Sequence, residues 1–158
     1  MVINLIKNDI KVYFYARKKR IIDEISKIGG KFIPNPSDIS IFTKIILTNL
    51  PNTKDVENIV IGKNGIINSL QTGSIVIDMS TISPEGTRYI NEKLRTRKSS
   101  LVDAPVSGGE AGAKSGKLSI MVGGDKSAYL KIRFILSILG SKITYLGKSG
   151  SGQVCKAC

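Results

Sequence analysis

Short apolar runs rich in β-branched residues alternate along the chain with longer stretches in which apolar residues recur at helical spacing. This alternation is typical of an α/β fold with a mainly parallel sheet. Residues 44–48 (KIILT) and 74–79 (SIVIDM) are apolar at successive positions, which predicts central strands buried on both faces. Further strands are predicted at residues 11–15, 31–33, 101–103, 118–122 and 142–145.

Capping signals in the sequence mark the ends of the predicted helices. One helix spans about residues 20–28 before a glycine pair, and another spans 53–59 with Thr53 as its cap. A third begins at Ser83-Pro84 and runs to about residue 93, and a fourth covers 126–139. Residues 1–7 have the spacing of an amphipathic helix, although a doubly wound sheet ordinarily begins with a strand and a glycine turn.

Length and composition favour one globular domain. The chain has 158 residues, of which 41% are hydrophobic and 23% charged, so it has enough apolar residues to form a core and disorder is excluded. No apolar run approaches the roughly 20 residues of a membrane-spanning helix, and no signal-peptide pattern is present. We therefore expect a soluble cytoplasmic protein with no domain boundary inside the chain and no membrane partner.

The formal net charge of +12 raises the alternative of a nucleic-acid partner. Apart from residues 17–20, however, the basic residues are scattered, and no aromatic residues are interleaved with them, so we favour a solvated lysine-rich surface without nucleic-acid binding. Cys155 and Cys158 have C-x-x-C spacing, but the chain has no histidine and no second cysteine pair. We therefore predict incidental thiols and no metal site.

Residues 103–124 (DAPVSGGEAGAKSGKLSIMVGG) contain six of the sixteen glycines. Glycines and a serine at the end of a strand allow backbone N–H groups to surround an anion. Glycine-rich loops also occur simply as turns. Composition alone leaves both interpretations open.

This run resembles the corresponding segment of the β-hydroxyacid dehydrogenases over its whole length. Residues 50–56 (LPNTKDV), 78–84 (DMSTISP) and 150–156 (GSGQVCK) match the same family in the correct order. The resemblance implies a Rossmann-like doubly wound sheet that lacks its first strand, its pyrophosphate-binding glycine turn and the all-helical domain that follows. Residues 1–158 then form a partial NAD(P)-binding domain, with 149–158 beginning the linker helix. Because the sheet then has an unfilled slot, we expect marginal stability or aggregation and weak cofactor binding.

The resemblance also implies the site residues. Ser107, Gly108 and Gly109 match the segment that holds the substrate carboxylate, and Lys156 matches the catalytic lysine, which protonates the carbonyl oxygen as hydride arrives. Cofactor-lining positions match Leu50, Pro51 and Thr81. Ser80 and Asn52 are weaker candidates because either could simply cap a turn.

The residues after the first predicted strand indicate the cofactor. An acidic residue at this position binds the ribose 2′-hydroxyl of NAD, whereas an arginine suits the 2′-phosphate of NADP. Here Ala16, Arg17 and Lys18 follow the strand without an acid. We predict NADP, with NAD as the alternative and Arg17 as the phosphate ligand.

The favoured function is interconversion of a small β-hydroxyacid and its semialdehyde, with a small carboxylate as substrate, in a full-length protein that is a homo-oligomer. A 6-phosphogluconate dehydrogenase-like enzyme is one alternative. A non-catalytic binding module on the same fold is another, but such relatives lose the lysine, and Lys156 is present.

Overall fold

Eight α-helices and eight β-strands follow one another in a computed structural model that describes residues 1–158. The strands are β1 (Tyr13–Phe14), β2 (Lys31–Phe32), β3 (Ile45–Thr48), β4 (Ile75–Asp78), β5 (Ser100–Asp103), β6 (Val106–Ser107), β7 (Leu118–Gly123) and β8 (Gly140–Gly147). The helices are α1 (Val2–Lys7), α2 (Lys19–Lys27), α3 (Ile39–Phe42), α4 (Thr53–Ile61), α5 (Pro84–Arg95), α6 (Gly109–Ser115), α7 (Lys126–Leu139) and α8 (Ser151–Ala157). Short 3-10 helices lie at Pro36–Asp38 and Ile66–Asn68.

The strands form two sheets. Strands β3, β4 and β5 run parallel at one side of a six-stranded sheet. Strand β7 is antiparallel to β5 and β6 and parallel to β8. Strands β1 and β2 form a separate parallel pair. The prediction of an α/β fold with a mainly parallel sheet is confirmed.

Helices cover both faces of the larger sheet. On one face, Leu5 of α1 and Ile132 of α7 pack in a cluster with Ile77 of β4. On the other, Val56 of α4 and Ile90 of α5 pack in a second cluster with the β4 and β5 residues Val76 and Leu101. Adjacent residues of a strand point to opposite faces, so the unbroken apolar run of β4 supplies both clusters.

A cavity of about 1010 Å³ separates β1 from β3, and we refer to it as the sheet slot. The prediction that residues 44–48 form a central strand is wrong in this structure, because β3 pairs only with β4 and its other edge faces the slot. Ile45 is consequently 37% exposed.

Most predicted elements are found with boundaries shifted by at most two residues, and α7 spans residues 126–139 as predicted. Helix α4 is capped by the side chain of Asn52, which accepts from the Asp55 N–H at 2.9 Å, so the prediction of Thr53 as the cap is wrong. The Thr53 hydroxyl instead accepts from the Ser83 N–H at 3.1 Å. No helix has the length and apolar character required to cross a membrane.

Candidate functional site

Three polar residues stand side by side where the parallel strands end. Thr48 of β3 is in register with Asp78 of β4, which is in register with Asp103 of β5. The segments that follow these strands therefore leave the sheet at one carboxyl edge, where ligands bind in open α/β sheets. Leu50, Pro51 and Thr81 lie in those segments, as the sequence predicted, with Pro51 and Thr81 exposed and Leu50 half-buried.

Hydrogen bonds join the first two of these segments. Asp78 Oδ1 accepts from the Thr48 hydroxyl at 2.9 Å and from the Ser80 N–H at 3.2 Å. The Ser80 hydroxyl in turn accepts from the Leu50 N–H at 2.8 Å. Ser80 was a weaker candidate from sequence, and the structure gives it the role of fixing the distance between the Leu50 and Thr81 segments.

Asp78 is fully buried, and its Oδ2 has no hydrogen-bond partner. Burial raises the pKa of Asp78 above its ordinary value, the hydrogen bonds from Ser80 and Thr48 lower it, and the nearby Asp103 carboxylate raises it further. A buried carboxyl without full hydrogen bonding is costly in its charged form. Asp78 therefore links the segments at an energetic cost that a neutral side chain would reduce.

Helix α8 is tied to the Thr81 segment through Gln153, which is 1% exposed. Gln153 Oε1 accepts from the Ile82 N–H at 3.1 Å, and Gln153 Nε2 donates to the Ser80 carbonyl oxygen at 2.8 Å. These two bonds flank Thr81 on either side. Sequence reasoning missed this residue, although Gln153 lies within the GSGQVCK motif that identified Lys156.

Asp103 holds the beginning of the same helix. Its carboxylate accepts from the Gly150 N–H at 2.8 Å and from the Gln153 N–H at 3.2 Å, satisfying donors that a helix start leaves free. Burial raises the pKa of Asp103, while backbone hydrogen bonds from Gly150 and Gln153 act in the opposite direction. A negative charge at a helix N-terminus is also favourable because of the helix dipole.

The close approach of α8 to the sheet requires glycine at position 152. A Cβ there would meet the carbonyl oxygen of Met121 and would lie 2.8 Å from Asp103 Oδ2. Both neighbours are held by the sheet, so neither can move away at low cost. Gly152, the second glycine of GSGQ, is thus the residue that permits α8 to pack against β5 and β7.

Lys156 is half-buried on α8, where it follows Gly152 by four residues and Gln153 by three. This spacing places all three on one face of the helix. Lys156 forms no ion pair. The structure has two ion pairs, and they join Arg88 to Glu85 and Lys114 to Glu110. Its ammonium group therefore has no carboxylate partner in the structure. Cys155 and Cys158 on the same helix are exposed free thiols.

The glycine-rich segment extends beyond the carboxyl edge. Asp103 pairs with Gly123 and Ser107 pairs with Ser119, so Ser107 lies four residues, or about 13 Å of extended chain, past the row of polar residues. Gly108 and Gly109 have φ angles of +129° and +60°, which side chains rarely adopt. Helix α6 begins at Gly109, where no side chain caps the free N–H groups. All three predicted residues are exposed.

Arg17 lies across the sheet slot from the other candidates. It is exposed in the turn between β1 and α2, lines the slot and makes no ion pair. The residues after β1 include no acid that could bind a ribose 2′-hydroxyl. The structure thus joins Leu50, Thr81 and Lys156 through hydrogen-bonded segments, places Ser107 beyond the same edge and leaves Arg17 on the separate β1–β2 pair.

These positions fit the two ends of a dinucleotide. Exposed residues at the carboxyl ends of β3 and β4 suit a bound ribose, and the unpaired guanidinium of Arg17 suits a phosphate group. The turns on either side of the slot, at residues 15–18 and 49–52, contain no glycine that could approach a pyrophosphate closely. The fit therefore includes no close backbone contact to the pyrophosphate.

Comparison with known proteins agrees with this geometry. Residues 1–147 match the family described as the NAD binding domain of 6-phosphogluconate dehydrogenase. The 2-(hydroxymethyl)glutarate dehydrogenase of Eubacterium barkeri is 33% identical over 156 residues, covering 99% of this chain and 52% of that enzyme. The 2-hydroxy-3-oxopropionate reductase of Escherichia coli K12 is 36% identical over 136 residues, covering 86% of this chain and 47% of that enzyme.

A solved structure of a related enzyme shows the same similarity. The 3-hydroxyisobutyrate dehydrogenase of Mycobacterium tuberculosis, determined with L-serine, superposes with a TM-score of 0.93 at 26% identity, covering 99% of this chain and 53% of that one. The chain spans about half the length of the relatives it matches. Sequence and fold thus agree that the chain belongs to the β-hydroxyacid dehydrogenases, as a Rossmann-like domain of the kind described as the NAD binding domain of 6-phosphogluconate dehydrogenase.

Proposed function

We propose that these residues form the cofactor-binding part of an NADP-dependent oxidoreductase that interconverts a small β-hydroxyacid and its semialdehyde by hydride transfer. The reaction is of the type that 3-hydroxyisobutyrate dehydrogenase or 2-hydroxy-3-oxopropionate reductase performs. The observation that carries the proposal is the pair of Gln153 hydrogen bonds on either side of Thr81, one helical turn before Lys156. A cofactor-lining segment and a candidate proton donor are thereby fixed relative to one another.

Ser107, Gly108 and Gly109 hold the substrate carboxylate in this proposal. The serine hydroxyl and the uncapped N–H groups at the start of α6 are exposed donors without competing side-chain partners. Several donors within one small concavity suit a carboxylate. The positive φ angles of the two glycines support this role, because they turn the backbone sharply where the donors are needed.

Lys156 acts as the general acid toward the carbonyl oxygen and as the general base in the reverse reaction. A protonated amine stabilises the negative charge that develops on this oxygen and then donates its proton to it. When bound, the nicotinamide supplies or accepts the hydride at the neighbouring carbon. The absence of an ion pair at Lys156 supports the assignment, since a carboxylate partner would compete with the substrate.

Arg17, Leu50, Pro51 and Thr81 contact the cofactor in this proposal. Arg17 pairs with the 2′-phosphate, which favours NADP over NAD, and the other three line the cofactor between adenosine and nicotinamide. The support is their position, since the last three lie at the carboxyl edge and Arg17 lies in the turn after β1 on the other side of the slot. We place the whole protein in the cytoplasm as a homo-oligomer that takes a small carboxylate substrate.

Binding to this chain tests the proposal. Saturation-transfer NMR with NADPH, NADH, 3-hydroxyisobutyrate and 6-phosphogluconate measures weak complexes without requiring turnover. We expect NADPH to bind more tightly than NADH, and Ser107→Ala to weaken binding of 3-hydroxyisobutyrate while leaving that of NADPH unchanged. Equal affinity for both nucleotides would contradict the NADP assignment. A preference for 6-phosphogluconate over 3-hydroxyisobutyrate would contradict the substrate class.

A further inference from the structure

Helix α8, which carries Lys156, has only seven residues. A helix of this length is not stable by itself in water, so contacts with the rest of the protein must hold it. Lys156 follows Gln153 by one helical turn, or about 4.5 Å along the helix axis. The position of Lys156 therefore depends on the groups that hold the first turn of α8.

The carboxylate of Asp103 holds that first turn at two points. One oxygen, Oδ1, accepts from the Gly150 N–H at 2.8 Å, and the other, Oδ2, accepts from the Gln153 N–H at 3.2 Å. Asp103 itself is fixed in the sheet, where it pairs with Asp78 of β4 and with Gly123 of β7. Two attachment points three residues apart restrain both the place of the helix start and its rotation about the helix axis.

This arrangement requires the charged form of Asp103. A carboxylate accepts hydrogen bonds at both oxygens, whereas a protonated carboxyl or an amide carries a donor on one side. The groups of Gly150 and Gln153 that face Asp103 are both N–H donors. A neutral side chain of the same shape therefore loses one of the two bonds and places two donors against each other.

The charged surroundings of Asp103 come from two other elements. The Asp78 carboxyl stands beside it in register on β4, and Arg88 of α5 lies next to the start of α8, where a Cβ added at Gly150 would be 3.2 Å from the Arg88 Nε. Strand β7 contributes the uncharged Gly123. Burial raises the pKa of Asp103, and the backbone hydrogen bonds from α8 oppose this effect.

We propose that Asp103 is a positioning residue for Lys156, because its ionised carboxylate fixes the first turn of α8 and thereby the place of the Lys156 amine. Asp103 is fully buried, so it acts through the helix and not by contact with the substrate. A displacement of a reacting group by about 1 Å costs on the order of 100-fold in rate. This inference rests on the proposed function, in which Lys156 transfers the proton.

An enzyme that contains the whole chain tests the inference. Residues 1–158 would replace the superposed segment of the Mycobacterium tuberculosis 3-hydroxyisobutyrate dehydrogenase, and kcat would be measured per NADPH-binding site. We expect Asp103→Asn to lower kcat at least tenfold while the KM of the hydroxyacid and the affinity for NADPH stay within threefold. The matched control is Asp125→Asn, at an exposed carboxyl that makes no capping bond, and it should retain kcat. A kcat within threefold of the parent in Asp103→Asn would overturn the inference.

A double-mutant cycle with Lys156→Ala shows whether Asp103 acts through the lysine. In that case, adding Asp103→Asn to Lys156→Ala should change kcat by less than threefold, because the group that Asp103 positions is already absent. Two losses that multiply would overturn the inference. Retained kcat in Lys156→Ala alone would contradict the proposed function, whereas a loss in Lys156→Ala with none in Asp103→Asn would overturn the positioning role alone.

The pH dependence of the unsubstituted graft tests the same role if Asp103→Asn does not fold. Protonation of Asp103 should lower kcat for carbonyl reduction as pH falls from about 7 to about 4, since burial raises the pKa of Asp103 above its ordinary value. Lys156 cannot cause this decline, because a general acid is retained in its protonated form at low pH. The decline should persist in Asp78→Asn. A constant kcat over this range, or a decline that Asp78→Asn removes, would overturn the inference.

Discussion

Gln153 donates a hydrogen bond from its carboxamide nitrogen to the carbonyl oxygen of Ser80 across 2.8 Å. The carboxamide oxygen of the same side chain accepts a hydrogen bond from the Ile82 N–H. Two hydrogen bonds therefore connect the helix that carries Lys156 to the segment that carries Thr81. In the proposed reaction this arrangement keeps the proton donor at a constant distance from the reacting end of the cofactor.

Replacing Gln153 by leucine should destabilise the protein substantially. The change leaves the Ser80 carbonyl oxygen and the Ile82 N–H unpaired in a buried place, which we expect to cost about 2–4 kcal/mol of unfolding free energy. Urea unfolding with a common m-value measures the change. Val154→Ala, at a 45% exposed position one residue away, is the matched control and should change stability by less than about 0.5 kcal/mol. Equal effects of the two changes would contradict the role of the Gln153 bonds.

The buried carboxyl of Asp78 should make stability fall as pH rises. Because burial raises the pKa of Asp78 in the folded protein, the folded state binds more protons than the unfolded state between the two pKa values. This contribution is fully present below about pH 4 and is lost as pH rises through the folded pKa. Asp78→Asn should therefore match the parent near pH 4 and exceed its stability at pH 7.

Urea unfolding of both proteins at several pH values gives this difference directly. The matched control is Asp23→Asn, which changes an exposed carboxyl on α2 and should shift stability little at any pH. If Asp78→Asn were less stable than the parent at pH 7, the charged form of Asp78 would be required by the fold, and the proposed cost of its burial would be wrong.

Glycine at position 152 should be indispensable for the docking of α8. Gly152→Ala places a methyl group against the Met121 carbonyl oxygen and the Asp103 carboxylate, so α8 must move away from β7. We expect a loss of about 1–3 kcal/mol, typical of overpacking, and faster exchange of the Gln153 amide. Ala157→Gly, near the exposed end of the same helix, is the control for helix propensity. Unchanged Gln153 exchange in Gly152→Ala would refute the proposed close packing.

Arg17 should determine the preference for NADPH over NADH. Removing one charge-assisted contact to the 2′-phosphate should weaken NADPH binding about tenfold, which corresponds to roughly 1.4 kcal/mol, and leave NADH binding unchanged. Arg20→Ala removes the same charge from an exposed position on α2 and serves as the control. Equal losses for the two variants would show that general positive charge, and not a specific phosphate contact, attracts the nucleotide.

The sequence predicted the alternation of elements well because local periodicity determines it. The apolar run at residues 44–48 also shows where local information fails. Its pattern is that of a strand with neighbours on both sides, yet β3 has a neighbour on one side only, and no pattern within the run reports which neighbours are present. Helix α6 was missed because glycine has low helix propensity and the segment GEAGAKS contains two.

For a similar reason, some residues of the candidate site could be predicted from the sequence and others could not. Ser107, Thr81 and Lys156 were predicted from motifs, because each lies in a segment that resembles a known family, and their roles remain predictions. The roles of Asp103 and Gln153 depend on partners 50 and 71 positions away in the chain, and spacing within a motif carries no information about such contacts. Their presence in the motifs was the only available signal, and it did not distinguish a structural role from a chemical one.

The proton-transfer role of Lys156 is the central claim, and the turnover number of a grafted enzyme tests it most directly. Residues 1–158 would replace the superposed segment of the Mycobacterium tuberculosis 3-hydroxyisobutyrate dehydrogenase, which covers 99% of this chain. The turnover number kcat would be measured with Lys156 intact and as Lys156→Ala. We predict a loss of about 10²–10⁴-fold in kcat with unchanged NADPH affinity, the contribution typical of general acid–base catalysis. A Lys156→Ala graft that binds NADPH and retains kcat within a few fold would contradict the account.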